Sequence, residues 1–273
     1  ALFYYYYFNQ RIYSVFFQLG FYNMTGTNSA DRILNVLELF TDKSTRWTAE
    51  EMIEKLGYTR PTMYRYLRSL RDVGLVSSIG NSGYSLGPRA TEMDYLIAQS
   101  DPLVGQGLTQ LKALTATYRC TALLVKWYGE KLLCVASDYS TPLPITSYPR
   151  GKPMPITRGA ISRSIIAHLP RGQLLKRVER HFLNFKAIGL GTTKEDIVKS
   201  FQEIKRKKIA TAREEITSGS MGIAHVVLDS NNFPLASICV TIVINPLSEK
   251  LLPNIINDVR EKCEILTEEL SES

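Results

Sequence analysis

The sequence predicts an α+β protein with a small winged helix-turn-helix part and a larger part in which helices mix with strands. Three observations indicate this fold class. Two short amphipathic helical patterns meet at a glycine, two short strand patterns follow them, and the rest of the chain combines both kinds of pattern. The 273 residues allow one or two domains at roughly 100–200 residues each.

On these patterns we divide the chain into four segments. They are an extension outside the fold over residues 1–23, a winged helix-turn-helix domain over 24–88, a linker helix over 89–101 and a sheet domain over 102–273. The extension is aromatic and has Arg11 as its one charge, and polar residues interrupt the ~20 apolar residues that a membrane anchor needs. We expect Met24 to be the natural start, with a membrane-surface segment as the alternative.

The composition is that of an ordinary globular protein, with 44% hydrophobic and 22% charged residues. The formal net charge of +7 permits an anionic partner without demonstrating one. The four cysteines lack any CxxC spacing, so they predict buried thiols in a reducing cytosol and no zinc site. We therefore expect a cytoplasmic protein.

The first two helices carry clear start and stop signals. Asn28 or Ser29 can cap the first helix, which has a stripe of apolar residues at helical spacing. Thr48 and Glu51 have the spacing of a capping box, in which each side chain accepts a bond from an unpaired backbone N–H group. Gly57 ends the second helix, since glycine adopts the left-handed conformation of a helix end at low cost.

A third helix begins almost immediately, with Thr59 as its cap and Pro61 in its first turn. Its core face carries Met63, Leu67 and Leu70. Its outer face carries the residues that we expect to contact DNA: Arg60, Thr62, Tyr64, Arg65 and Arg68. Two short helices joined at a tight turn, the second basic outside, are typical of a helix-turn-helix, whose second helix enters the major groove. There an arginine can bond guanine bidentately.

The strand patterns at residues 75–79 and 84–87 predict a small hairpin behind this helix, which is a wing. Its tip amides can contact DNA phosphates. Charge is concentrated in the same region, because residues 58–89 contain five arginines and Asp72 as the one acid. The alternative, a three-helix domain with a solvated basic helix, predicts neither the glycine turn nor the hairpin.

Residues 100–273 predict a separate domain of mixed helices and strands. The expected strands cover 121–128, 131–137, 145–148, 223–228 and 237–244. A connecting helix is expected at 91–99, and a second helix begins after residues 100–102. The other expected helices cover 159–168, 172–180, 194–208 and 251–270. Thr192 and Glu195 form a second capping-box pattern.

Several blocks of sequence resemble the IclR family of bacterial transcription regulators. In the first part these are SADRILNVLELF, GYTRPTMYRYLRSLRDVGLV and GYSLG. In the second part they are GKPMPITRGAISRSIIAHLP and AREEITSGSMGIAHVVLDSNNFPLASICVTI. The resemblance runs from about residue 30 to residue 270, in the family's order and spacing.

The resemblance implies a ligand-responsive regulator, more often a repressor, that binds a palindromic DNA operator as a homodimer or homotetramer. It implies that residues 102–273 form a GAF-like domain for effector binding and oligomerisation. The pocket positions that it implies are Leu143, Gly159, Ala160, Cys239 and Thr241, with Ala212 and Gly222 aligned less securely. Pro61, Thr157, Arg158 and Ser162 depart from common family residues, so no relative's ligand transfers directly.

The loop before the helix at 159–168 suggests an anion site. Gly159 and Ala160 lie where free N–H groups and the positive end of the helix dipole favour a carboxylate, and Arg158 can add a bidentate bond. We therefore expect a small organic, sugar or aromatic acid as the effector. The alternative is that Arg158 points to solvent and the loop only packs.

The remaining signals favour a regulator over other classes. The three histidines lack metal-ligand spacing, and no cofactor motif is present. Glu214 and Glu215 are adjacent and point apart, and no nucleophile with a base is visible. Cys239 fits a core position and a pocket position equally well. The alternatives are a small-metabolite enzyme with an accessory winged helix, and a regulator tethered to a membrane by residues 1–23.

Overall fold

The computed structural model describes residues 28–271 and shows the predicted fold class. It forms two compact units that divide between Leu96 and Ile97. The extension 1–23 lies outside the described residues, as does Met24, the expected natural start of the protein.

The first unit is a helix-turn-helix with a wing. Its elements are α1 (Ser29–Glu38), α2 (Ala49–Leu56), α3 (Arg60–Asp72), β1 (Val76–Ser78), β2 (Tyr84–Leu86) and most of α4 (Pro88–Ser100). Asn28 caps α1, and its side chain accepts a hydrogen bond from the Asp31 amide at 2.9 Å. The capping box of Thr48 and Glu51 is present in α2.

The turn between α2 and α3 requires its glycine. Gly57 has φ +67°, which L side chains rarely adopt, and its N–H donates to the Ile53 carbonyl at 2.9 Å. Thr59 is the N-terminal residue before α3, but its hydroxyl donates to the Thr62 hydroxyl at 2.9 Å and not to the helix backbone. The predicted core face is confirmed, since Met63, Leu67 and Leu70 are buried, and Tyr66 joins them.

The predicted wing is confirmed as an antiparallel pair of three-residue strands with a short 3-10 helix at the tip. Trp47 anchors it, because the Trp47 and Tyr84 backbones exchange two hydrogen bonds of 2.8 and 3.0 Å. Gly83 has φ +95°, and a Cβ there would collide with the Trp47 backbone. The wing is therefore fixed to the segment that leads into α2.

The second unit is a six-stranded antiparallel sheet with helices on both faces. Its strands are β3 (Thr121–Trp127), β4 (Leu132–Tyr139), β5 (Pro153–Met154), β6 (Ala210–Arg213), β7 (Ser220–Leu228) and β8 (Pro234–Val243). Its helices are α5 (Pro102–Thr117), α6 (Ala160–His168), α7 (Arg171–Arg180), α8 (Phe182–Ala187), α9 (Lys194–Lys207) and α10 (Pro246–Ser271). The strand order is β5-β4-β3-β8-β7-β6.

Alternate residues of each central strand enter different cores. Leu123 and Val125 of β3 pack with α6 to α9, whereas Ala122 and Leu124 pack with α5 and α10. This alternation follows from the two-residue period of a strand and shows why the sheet is apolar on both faces.

Two local predictions were wrong. No strand forms over 145–148, because Pro142, Pro144 and Pro149 deprive this segment of ladder donors. Its Ile145 amide instead donates to the Thr121 hydroxyl at 2.8 Å. The second capping box lies one residue later than predicted, between Thr193 and Asp196.

The sequence patterns also missed two short strands and one helix. β6 has only four residues, of which two are alanines, so it lacks the β-branched run that marks a strand. β5 has two residues and α8 has six, which are too few for a periodic pattern.

Candidate DNA-binding surface and effector pocket

The outer side of α3 is a basic, exposed surface. Arg60, Tyr64, Arg65 and Arg68 are exposed there, and Thr62 is half-buried. The opposite side of the helix is buried in the core of the first unit. All five predicted DNA-contact residues therefore lie on one helix, with their charges directed away from the core.

Arg60 has an acidic neighbour on α2. Its guanidinium lies 3.3 Å from the Glu50 carboxylate, and both side chains are largely exposed. Glu50 is in the first turn of α2, where a negative charge also complements the helix dipole. This pair places one acid beside the predicted groove-contacting end of α3.

A cavity of about 40 Å³ lies in the second unit at the N-terminus of α6. Its wall combines a sheet face, the first turn of α6 and the segment 214–217. The residues with hydroxyl groups in the wall are Thr146, Thr217, Ser220 and Thr241. The volume holds roughly three water molecules, so only a small ligand enters without movement of the wall.

Strand pairing brings distant residues of the wall into rows. Ala212 of β6 lies opposite Gly222 of β7, and Gly222 lies opposite Thr241 of β8. Cys239 pairs with Leu123 of β3 in the next row. Gly222 has no side chain, which leaves space in this wall. A Cβ at this position would contact the Ala160 Cβ at 3.5 Å and the Cys239 Sγ at 3.6 Å.

Five of the six predicted effector residues line this cavity: Arg158, Gly159, Ala160, Cys239 and Thr241. The less securely aligned Ala212 and Gly222 line it as well. Leu143 does not, since it lies in the turn after β4 with 79% of its surface exposed. The two prolines that flank Leu143 keep this turn out of the sheet.

The N-terminus of α6 already holds a carboxylate. Glu215 Oε2 accepts a hydrogen bond from the Gly159 amide at 2.8 Å, and its Oε1 forms an ion pair with Arg163. Both side chains are mostly buried, with 15% of the Glu215 side chain and 13% of the Arg163 side chain exposed. The Gly159 amide that we expected to bind a ligand is therefore occupied by a group of the chain itself.

Arg163 is anchored behind this pair. Its guanidinium donates to the Thr211 carbonyl at 2.7 Å and to the Ile188 carbonyl at 3.4 Å. Burial lowers the pKa of Arg163, and Glu215 opposes that shift. No sequence signal pointed to this pair, because 52 residues separate the partners.

Cys239 is a buried thiol with no activating group. Burial raises its pKa to about 12, because the thiolate would lose its hydration without a cation nearby. In this closed cavity the thiol packs as a small apolar group.

The structure brings two of the three histidines together. The rings of His168 and His225 lie 6.0 Å apart, and burial lowers both pKa values, that of His225 to about 3. Within residues 28–271, no three potential metal ligands cluster.

A winged helix-turn-helix with a basic second helix, in a chain that also has a sheet domain with a pocket, is typical of ligand-responsive transcription regulators. Family models match both parts. Residues 29–79 match the IclR helix-turn-helix domain, and residues 100–267 match the C-terminal domain of the bacterial transcriptional regulator IclR. The chain therefore belongs to the IclR family of transcriptional regulators.

Individual relatives agree with this assignment. The probable HTH-type transcriptional regulator ArcR of Halobacterium salinarum is 26% identical over 171 residues, which span 62% of each protein. The IclR-type regulator of Alicyclobacillus acidocaldarius superposes with a TM-score of 0.75 at 22% identity, covering 89% of this chain and 98% of that one. The Thermotoga maritima IclR gives a TM-score of 0.65 at 18% identity, with coverages of 89% and 98%. These two structures show a shared fold.

The comparisons do not support the enzyme alternative, since the matched families consist of regulators. In the part of the chain that the structure describes, no helix has the length and apolar character needed to cross a bilayer. The segment 1–23, on which the tethered alternative depends, lies outside that part.

Proposed function

We propose that this protein represses transcription by binding a palindromic operator through α3, and that a small carboxylate ligand in the second unit changes this binding. The observation that carries the proposal is the exposed arginine surface of α3 in a family of transcriptional regulators. One structural relative, from Agobacterium tumefaciens, is named the repressor BlcR, which supports the proposed sign of regulation. We propose no catalytic activity, and a cytoplasmic location where the operator is found.

In this mechanism the first residues of α3 read base edges. Arg60, Thr62 and Arg65 enter the major groove, while Tyr64 and Arg68 contact bases or the backbone. Amides of the wing contact phosphates, which contribute most of the affinity and make it depend on salt.

A palindromic operator requires at least two copies of the reading helix. α4, which covers residues 89–100 of the proposed linker 89–101, has no buried residue, and it exposes four large apolar side chains: Met93, Tyr95, Leu96 and Ile97. Contiguous apolar surface of this kind is typical of an association face. We therefore propose that α4 packs against a second copy in a homodimer or a homotetramer.

Two groups support a carboxylate as the ligand. Arg158 lines the cavity, and the first turn of α6 directs its amides and its dipole toward it. Hydroxyl groups on the opposite wall can bind further polar atoms of an organic, sugar or aromatic acid.

DNA binding is tested with fluorescent duplexes from the region upstream of the protein's own gene. We expect tight, salt-dependent binding that a palindromic segment retains when the duplex is shortened. Equal affinity for unrelated duplexes at all salt concentrations contradicts an operator-specific function.

The ligand class is tested by titration calorimetry with matched acids and amides: propionate against propionamide, and benzoate against benzamide. We expect only the acids to bind, and Gly222→Val to abolish that binding by filling the cavity, while operator binding persists. Binding of the amides alone would exclude the carboxylate hypothesis.

A further inference from the structure

The segment 214–219 forms one side of the cavity wall. Glu214, Glu215, Ile216 and Thr217 all line the wall on this side. Ile216 packs directly over the start of α6, because a Cβ on Gly159 would lie only 3.0 Å from its Cγ1. A ligand larger than about three waters needs this wall to move.

The segment forms a tight turn between β6 and β7. The Glu214 amide donates to the Ser220 carbonyl at 2.8 Å, and the Glu214 carboxylate accepts from the Gly219 amide at 2.8 Å. Glu214 also has φ +57°, so the chain bends sharply where β6 ends. These contacts close the segment into a compact loop, and its Gly219 carbonyl also accepts a hydrogen bond from the Ile244 amide at 2.9 Å.

Two side chains attach this loop to the rest of the pocket. Thr217 Oγ1 lies 3.1 Å from Thr146 Oγ1 on the opposite wall. Glu215 bridges the Gly159 amide and the Arg163 guanidinium. The second attachment is the stronger, because both of its bonds involve an ionised group in a mostly buried place.

We propose that residues 214–219 form a lid over this pocket, and that Glu215, by bridging the Gly159 amide and the Arg163 guanidinium, is the latch that keeps the lid closed. An anionic ligand that approaches the first turn of α6 competes with Glu215 for the same amide and repels its charge. Ligand entry and lid release are then one event. The inference rests on the proposed function, since it assigns the lid to the proposed ligand pocket.

The chain has built-in reporters of lid opening. Cys239 lies under the lid with 4% of its surface exposed, and its raised pKa keeps it unreactive while the pocket is closed. Cys120 and Cys263 are fully buried in the other core of the same unit, between the sheet and α5 and α10. Alkylation of Cys239 without Cys120 and Cys263 therefore reports local opening, whereas alkylation of Cys120 and Cys263 as well reports global unfolding.

The test is time-resolved alkylation of the ligand-free protein with iodoacetamide, with each cysteine followed by peptide mass spectrometry. In Glu215→Ala we expect Cys239 to react about tenfold faster than in the wild type, since a charge-assisted attachment is lost. Cys120 and Cys263 should keep their wild-type rates. The matched control is Glu249→Ala, which removes an ion pair to Arg213 of β6 outside the pocket and should change no rate.

A second variant keeps the test decisive if Glu215→Ala loosens the whole unit. Thr146→Cys with Thr217→Cys places two thiols where the hydroxyl groups now meet, so that oxidation can staple the lid shut. In the Glu215→Ala background, Cys239 of the oxidised protein should be alkylated at the wild-type rate. Reduction of the disulfide should restore the faster alkylation seen in Glu215→Ala.

An unchanged Cys239 rate in Glu215→Ala would overturn the proposal, as would a stapled protein that reacts as fast as the reduced one. The experiment uses neither ligand nor DNA. A failed lid therefore leaves the acid and amide titrations intact, and a failed titration leaves the alkylation result intact.

Discussion

At the scale of single residues, the beginning of α3 combines attraction and repulsion toward DNA. Arg60 is the first residue of the helix and lies beside Glu50, whose carboxylate faces the same end of α3. An exposed ion pair of this kind contributes little stability. We expect this acid to repel DNA phosphates, which weakens binding most where the helix makes no specific contacts with bases and so favours specificity over affinity.

We therefore expect Glu50→Gln to strengthen binding to non-operator DNA by roughly two- to fivefold, the range of an exposed charge pair. Operator affinity should change less, so the ratio between the two should fall. Fluorescence anisotropy at two salt concentrations measures both. Glu203→Gln, which breaks a comparable exposed pair with Arg206 on α9, is the control. Weaker binding of both duplexes by Glu50→Gln would contradict this role.

Arg65 is the sharpest test of base reading by α3. We expect Arg65→Ala to cost about 1–3 kcal/mol of operator binding if the side chain bonds a guanine bidentately, with relaxed preference at one position of each half-site. Arg206→Ala on α9 provides a matched loss of exposed charge in the second unit. A gel-shift series without loss of operator affinity removes Arg65 from the reading surface.

At the scale of elements, α4 differs from every other long helix in the described chain, because none of its residues is buried. Its large apolar side chains include Tyr95 and Leu96, which are 62% and 53% exposed. Surface of this composition is unfavourable in water unless a partner covers it.

We expect Leu96→Glu to shift the protein from oligomer toward monomer and to lower operator affinity in parallel, because two half-sites no longer bind together. Sedimentation velocity and anisotropy on the same samples measure the two effects. Glu92→Leu on the same helix should leave the oligomer intact. A Leu96→Glu protein that stays oligomeric would show that α4 does not form the interface.

Local signals made the first unit predictable. The capping box at Thr48, the turn glycine Gly57 and the spacing of apolar residues in α3 act within a few residues, and all three are present. The pocket is different, because its polar latch joins Glu215 to Arg163 across 52 residues. Glu215 lies in the segment after β6 and Arg163 lies on α6, so their contact depends on how the helix packs against the sheet, which no local pattern in the sequence records.

At the scale of the whole molecule, stability should depend on two buried neutral histidines. The titratable and charged groups that face His225 are His168, Lys208, Arg260 and Glu264. Burial and these mostly positive neighbours lower its pKa to about 3 from an ordinary value of 6.5. Between those two values the unfolded chain binds a proton that the folded chain does not, so the free energy of unfolding falls as the pH falls.

We expect the stability contribution of His225 to be complete above pH 6.5 and to decline from there toward pH 3. Urea unfolding at pH 7.5 and pH 5 measures the slope. The variant His225→Phe should show a shallower slope, because the remaining acid dependence comes from other groups. Equal slopes in both proteins would mean that His225 titrates normally in the folded state.

The alternation of residues along β8 has a consequence for how a bound molecule is sensed. Cys239 and Thr241 form part of the pocket wall, while Ile238, Val240 and Ile242 between and beside them support the long C-terminal helix on the reverse side. A ligand that displaces the wall residues pulls on the same peptide units that carry the supporting ones. We therefore expect ligand binding in the pocket to be transmitted to α10 through the backbone of this one strand.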